Sequence, residues 1–360
     1  VGNAALNWGD CRPLATGRHG DGQSWDSTML KAFNRYSLVL LACCGVIAPA
    51  AVKSRSADDA VLPVAAQYHS FGRGRSPFDA VVSDDGEVLV LGRGGLLAVL
   101  SQDMRDVARK LDVDPAVNFL AGAVGPDGRI RLTDGEGRIW RVNEALTEVS
   151  VESSEPVGAL FSIQYLSDGT GLAVGEFGTV LSKAPEADQW QPLTFDWSAA
   201  LPRLAEKFGD VSPHLYRACR APAGGALVVG EYGVVMELTH GVWQAQQVSG
   251  EYGTLFSCLV TPEGRQVVAG QSGRLLVSDG AQKPWRPLNS GLTADIYDIS
   301  GYASKLVVVA QDQLAYGSLD DSALTVAAVA LPNASWVVRA VPIRERLFVV
   351  GQQVTTKQSA

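Results

Sequence analysis

The sequence predicts an all-β fold, a seven-bladed β-propeller of four-stranded antiparallel blades, and three observations lead to it. The first is a unit written three times: residues 160–182 (LFSIQYLSDGTGLAVGEFGTVLS), 215–237 (LYRACRAPAGGALVVGEYGVVME) and 255–277 (LFSCLVTPEGRQVVAGQSGRLLV). Each copy has a Leu-aromatic pair, a turn rich in Gly or Pro, an apolar run ending in Gly, two variable residues, then Gly and a second apolar run. The second is period. The opening aromatic recurs as Phe78, Phe119, Phe161, Tyr216, Phe256, Tyr297 and Trp336, at steps of 41, 42, 55, 40, 41 and 39 residues. The end of the next apolar run follows 13 to 15 residues later in every copy, at Gly92, Asp134, Gly175, Gly230, Gly270, Ala310 and Gly351. A fixed period in this range marks a repeat architecture. The third is element type: the apolar runs are short, rich in Val and Leu, and punctuated by Gly, Pro and Asp, which is the pattern of strands joined by tight turns.

Within the third unit the strands are expected at Leu160 to Leu166, Gly171 to Val174, Thr179 to Lys183 and near Trp190 to Leu193. The recurring glycines are assigned to hairpins, where a positive φ is needed. Four short strands cannot bury both faces alone, whereas blades set around an axis cover one another. The last unit is incomplete: after Trp336 come an inner strand, a second at Arg346 to Val350 and a third at Gln353 to Lys357, and the chain then stops. Val61 to Tyr68 is expected to supply its outer strand and close the ring, giving one propeller over residues 58–357. The long step between units three and four holds an insertion, Ser198 to Gly209, with helical spacing of Leu201, Leu204, Ala205 and Phe208, Ser198 as cap and Gly209 as terminator. Met104 to Leu111 reads either as a helix or as the fourth strand of the first blade.

The front of the chain is read apart from the repeats. Residues 1–28 show no periodicity and are expected to be absent from the mature protein. Residues 29–50 have the layout of an export signal: Lys31 and Arg35, the apolar run Tyr36 to Ala48, and the small-residue site Ala48-Pro49-Ala50. The run is too short to span a membrane, and no later run reaches the required length. Leu40-Leu41-Ala42-Cys43 also resembles a lipoprotein box, which would acylate Cys43. The expected location is thus exported and periplasmic, soluble or lipid-anchored, with the protein monomeric on its own.

Formal net charge is −8, and loss of the first 50 residues makes the chain one unit more acidic. Such a surface repels phosphate backbones and argues against a nucleic-acid partner. Of five cysteines only Cys219 and Cys258 lie within the repeats, one position out of register. Alternation then points them to opposite faces of their strands, so free buried thiols are expected, a disulfide being the alternative in an exported protein.

No catalytic or cofactor signature is present. The four histidines have no partner at metal-ligand spacing. There is no P-loop, dinucleotide fingerprint or nucleophile elbow, so no catalytic residue, cofactor or metal is assigned. Two sets of positions remain. The residues after each marker aromatic (Asp79, Leu120, Ser162, Arg217, Ser257, Asp298 and Val337), together with Arg339, are expected to line the central channel. Five of those seven being polar, the channel is expected to be wet, either as ordinary solvated lining or as a ligand site in which Arg217 answers Asp79 or Asp298. The seven aromatics themselves are assigned to blade-to-blade core. On the rim, hairpin tips carry Arg93, Glu136, Glu176, Phe177, Glu231, Tyr232, Gln271 and Ser272 beside the helical insertion. This is a candidate partner-binding surface, since tips are exposed and aromatics enrich interfaces; in the alternative, Phe177 and Tyr232 fold back over their blades.

The unit over residues 161–181, aromatic-Ser followed by Gly-x-Gly-Leu-Ala-Val-Gly-Glu-Phe-Gly-Thr-Val-Leu, and its copies at 216 and 256, resemble the photosystem II assembly and stability factor family and its non-photosynthetic bacterial relatives. That family is similar in turn to Asp-box (BNR) repeat propellers; Val277-Ser278-Asp279-Gly280 with Trp285 is a degraded box, and Trp190 and Trp243 are remnants. The resemblance covers Phe78 to about Val354 and implies a non-catalytic scaffold or assembly factor for a membrane protein complex, in bacterial relatives a companion of exporters such as resistance-nodulation-division (RND) transporters. The competing reading is a glycan-binding or sialidase-like propeller, for which Arg217 and Arg339 alone do not supply the needed arginine cluster.

Overall fold

The computed structural model describes residues 40–44, 66–71, 74–154, 157–209, 211–248, 253–302, 305–311, 313–319, 329–330, 336–343 and 346–352. It is an all-β propeller, and the expected count of seven blades is corrected: there are six blades of four strands each, every one built from consecutive strands. They span residues 76–110, 119–153, 160–192, 215–247, 255–287 and 296–330, here blades 1 to 6. Each is an antiparallel meander whose first strand lies innermost.

The chain ends form a sheet of different make-up. Trp336–Ile343 and Arg346–Gln352 pair with each other, and Arg346–Gln352 then pairs with Leu40–Cys44, outside which lies Ala66–Ser70. The last repeat supplies only two of these strands. The position beside Arg346–Gln352, expected for Gln353 to Lys357, is taken by Leu40–Cys44 from within the apolar run of the presumed signal. Residues 353–357 and 61–65 lie outside the described residues. Val349 and Leu347 of this closing sheet pack on Val307 and Val309 of blade 6, and Phe348 and Val350 pack on Val88 and Val90 of blade 1.

Blade interfaces hold the core, because a blade's two faces are both apolar. Second strands such as Gly171–Gly175 and Ala226–Gly230 are buried at every position, since a neighbouring blade covers each side. Residues 107–110 form the fourth strand of blade 1, deciding between the two readings of that segment. The insertion folds as two short helices, Trp197–Ala200 and Pro202–Phe208. Asp196, not Ser198, caps the first by accepting from the Ala199 N–H, and Gly209 terminates the second at φ +83°. Leu201 and Leu204 are buried against blades 3 and 4, but Phe208 remains 47% exposed. No helix among the described residues is long and apolar enough to cross a membrane.

One irregularity recurs in all seven inner strands and sets the geometry of the axis. A β-bulge interrupts pairing at Pro77/Asp79, Phe119/Ala121, Leu160/Ser162, Leu215/Arg217, Leu255/Ser257, Ile296/Asp298 and Val337/Arg339. The equivalent bulged residues are therefore Phe78, Leu120, Phe161, Tyr216, Phe256, Tyr297 and Val338. Two markers, Phe119 and Trp336, are one residue or more out of structural register with the rest. The residues after the bulge are Asp79, Ala121, Ser162, Arg217, Ser257, Asp298 and Arg339, so Leu120 and Val337 leave the expected channel set and Arg339 belongs to it.

Candidate functional site

Bulged aromatics of successive blades meet ring against ring near the axis. Phe161 stacks on Tyr216 at 5.3 Å between centroids, Tyr216 meets Phe256 at 5.5 Å, and Phe256 meets Tyr297 at 5.5 Å. Phe256 and Tyr297 are buried, as expected of core, whereas Phe161 and Tyr216 are only half-buried. From this pair an aromatic track runs outward: His214 lies 6.3 Å from Phe161, and Phe177 packs on His214 at 4.8 Å. Phe177 is 66% exposed. On the corresponding turn of blade 4, Tyr232, half-buried, stacks on Phe208 of the insertion at 5.7 Å. Burial, with Glu231 and then Glu176 nearby, pushes the Tyr216 hydroxyl up, so it stays a neutral phenol.

The turns that carry these residues are tied down on both sides. The first turn residue folds back to accept the N–H ahead of its own blade's inner strand: Glu176 from Ala159 (3.1 Å), Glu231 from His214 (2.9 Å) and Gln271 from Thr254 (2.9 Å). The second gives its N–H to the next blade's entry loop: Gly94 to Asn118, Phe177 to His214 Nδ1 at 3.0 Å, and Ser272 to Asp295 at 2.8 Å. Phe177, Tyr232 and Ser272 all take left-handed φ of +51° to +57°, so the turn imposes this conformation whatever the side chain. The leading glycine has another reason to recur: at Gly175 φ is −166°, and a Cβ would stand 2.0 Å from the Ala159 carbonyl oxygen. Close approach, and not positive φ, requires glycine there. Of the other rim positions, Glu136 is exposed and pairs with Arg138 at 3.1 Å, and Arg93 is half-buried at the end of its strand.

Four of the polar residues behind the bulges do not line an open, wet channel, which corrects the expectation for them, while Arg217 and Arg339 stay partly exposed. Asp79, Ser162, Ser257 and Asp298 are buried, each accepting a backbone N–H from the next inner strand: Gly122, Ala218, Ile299 and Ala340, at 3.1 to 3.2 Å. Their polarity satisfies N–H groups that would otherwise be buried without a partner. Arg339 Nε pairs with Asp79, and Arg217 Nη2 lies 3.8 Å from Asp298. Between blades 4 and 5 the equivalent residue is Arg217, which has no acceptor to offer. There a Cys219–Cys258 disulfide joins the inner strands, with Cα atoms 6.0 Å apart, correcting the expectation of free thiols. Blades meet by unlike faces, so two residues on opposite faces of their own sheets face each other across the interface.

Burial pushes Asp79 up to about 7 against the pull of Arg217 and the Ala80 and Gly122 N–H groups. Asp298 rises to about 6, again through burial, with Arg217 the largest opposing influence. A carboxyl raised on folding from 3.8 stabilises the fold below that value, and the contribution is lost as pH rises through 6 and 7. The loss is on the order of 3–4 kcal/mol for each carboxyl between pH 3.8 and its raised value. Melting temperature should therefore fall between pH 4.5 and 7.5 more steeply in the wild type than in Asp79→Asn/Asp298→Asn. Parallel curves would contradict the assignment.

His214 is the site residue that sequence reasoning passed over. It stands two places before the bulge, as do Asn118 and Asp295, and all three accept from the preceding blade's turn. That repeated offset was the available signal.

No protein-family model matches the chain, and no curated protein matches its sequence. Its fold is similar to solved propellers. An inactive variant of virginiamycin B lyase from Staphylococcus aureus with quinupristin has TM-score 0.63 at 8% identity, covering 77% of this chain and 95% of that one. YCF48 bound to a D1 peptide has TM-score 0.59 at 14% identity, covering 78% and 90%. The extracellular domain of the putative one-component system BT4673 from B. thetaiotaomicron has TM-score 0.61 at 9% identity, covering 78% and 37%. At these identities the likeness is one of fold, and an enzyme is among the proteins that share it.

Proposed function

We propose that this propeller is a non-catalytic binding protein whose turn face, over blades 3 and 4, takes a segment of a protein partner. One observation carries the reading: Phe177 is held two-thirds exposed on a turn fixed by hydrogen bonds to two blades, continuous with His214, Phe161 and Tyr216. Exposed aromatics on a rigid frame bury large area at low entropic cost, which suits an interface. That a propeller of this fold, YCF48, is seen with a peptide supports the same mode. The resemblance of the repeat adds the finer reading of an assembly or accessory factor for a membrane complex, such as an RND-type exporter.

The protein should co-purify with its partner from the native membrane fraction. Phe177→Ala/Phe208→Ala is expected to reduce recovery at least about tenfold, the scale of losing one or two interface anchors, with an unchanged melting temperature. Equal recovery would refute the site, and a glycan-array signal lost in the same variant would reassign it to carbohydrate.

Export belongs to the same proposal, with residues 29–50 removed as a signal or Cys43 acylated. Removal at Ala51 takes Leu40–Cys44 out of the closing sheet, leaving the edge of Arg346–Gln352 to another strand. Mass spectrometry of the mature N-terminus tests this: a start at Ala51 or a diacylated Cys43 supports export, and an intact residue 29–50 segment in the purified protein contradicts it.

A further inference from the structure

A cavity of about 690 Å³ opens at the ends of the inner strands opposite the turns, such as 175–178, that join second and third strands. Its lining comes from the inner strands of blades 3 to 6 and from Pro342 of the closing sheet, and its size is that of a small-molecule site. Among the described residues, the charged members of that lining are Arg217 and Arg220, in a chain of net charge −8. With one carboxylate, that of Asp298, standing 3.8 Å behind Arg217, two guanidinium groups leave this recess net positive, which favours anions. Arg217 is the more telling of the two. Its side chain is 21% exposed, and its contact with Asp298, at 3.8 Å, is too long for a hydrogen bond. Among the described residues no hydrogen bond uses its five donors, and none of its side-chain nitrogens is fully buried, so they are accessible to a ligand. The Ser300 hydroxyl, in the same lining, is buried without a partner. Around these polar groups Leu259, Ile299, Pro262 and Pro342 make apolar wall, and the Cys219–Cys258 bridge crosses it.

We infer that this cavity binds a small organic oxyanion, its acidic group paired with Arg217, its polar substituents within reach of Ser300, and its entry favoured by Arg220. Arg217 suits the role because its planar fork matches a carboxylate or phosphate bidentately. The inference is independent of the partner-binding face, which lies at the other ends of the same strands.

The test is thermal shift on the full chain with three probes: citrate as an organic carboxylate, inorganic phosphate, and neutral glucose. Citrate is expected to raise the melting temperature saturably, as mass action requires of a native-state ligand. Its half-saturating concentration should rise about tenfold in Arg217→Met and about threefold in Arg220→Gln, the scale of losing one buried or one exposed charge contact. Arg220 is exposed, so Arg220→Gln keeps the test readable should Arg217→Met fail to fold. A stronger response to phosphate than to citrate supports the cavity and assigns a phosphate ligand. The inference is overturned if neither anion shifts the wild type, if glucose shifts it equally, or if Arg220→Gln keeps wild-type half-saturation.

Discussion

Replacing Cys219 and Cys258 together by serine should lower the unfolding free energy by about 4 kcal/mol, the chain-entropy value for a loop of this length. The bond spans 39 residues and joins the inner strands of two neighbouring blades, so it ties the axis where each blade is narrowest. Its place is also one of three, with Ala121 and Arg339, where the post-bulge side chain has no acceptor for the inter-blade tie. Four of the post-bulge residues accept the next strand's N–H, whereas Arg217 cannot, and the disulfide bridges that interface. Urea denaturation is the measurement: the wild type with reductant should move to the midpoint of the double serine variant. A midpoint indifferent to reductant would mean that the bridge is absent or contributes nothing.

Glu152→Ala is expected to cost about 3–5 kcal/mol, the penalty for breaking a buried ionic cluster and leaving its cations behind. Glu152 accepts from Arg131 Nε at 3.0 Å, Lys183 Nζ at 2.8 Å and Trp190 Nε1 at 3.1 Å, and only 9% of its side chain is exposed. Arg131 belongs to blade 2, Lys183 and Trp190 to blade 3, so one carboxylate fastens two blades. Arg131 also pairs with Asp127. Glu152→Gln keeps an acceptor for Trp190 and should lose less. A cost below about 1 kcal/mol for the alanine variant would place this cluster among ion pairs of surface strength.

How far the sequence speaks can be judged from particular residues. The meander of blade 3 was legible almost to the residue, because Gly175 and Gly178 bracket a turn that no other residue fits. The true register of the inner strands was not. It is set by the bulge, and at Leu120 and Val338 the bulged residue is not aromatic, so an aromatic marker chose Phe119 and Trp336 instead. The blade count failed for a different reason. The last two strands find partners about 300 residues upstream, and a long-range pairing such as Ala42 with Val349 leaves no local trace. Alternation correctly placed Cys219 and Cys258 on opposite faces, but only the ring geometry turns opposite faces into facing ones. Likewise the sequence showed that Asp79 and Ser257 are polar beside apolar neighbours, and could not show which strand's N–H needed them. Glu176, Phe177, Glu231 and Tyr232 mark the rim as a candidate surface in the sequence. The structure adds that the acids are spent on backbone N–H groups, leaving the aromatics as the groups open to a partner.

We propose that a protein partner sits on the turn face of blades 3 and 4. The most direct measurement installs a photo-crosslinking phenylalanine analogue at position 177 and, separately, at the exposed position 263 on the opposite face, and irradiates native membranes. A partner adduct is expected from position 177 and not from position 263. An adduct from position 263 alone would contradict the claim and move the binding surface to the other end of the propeller.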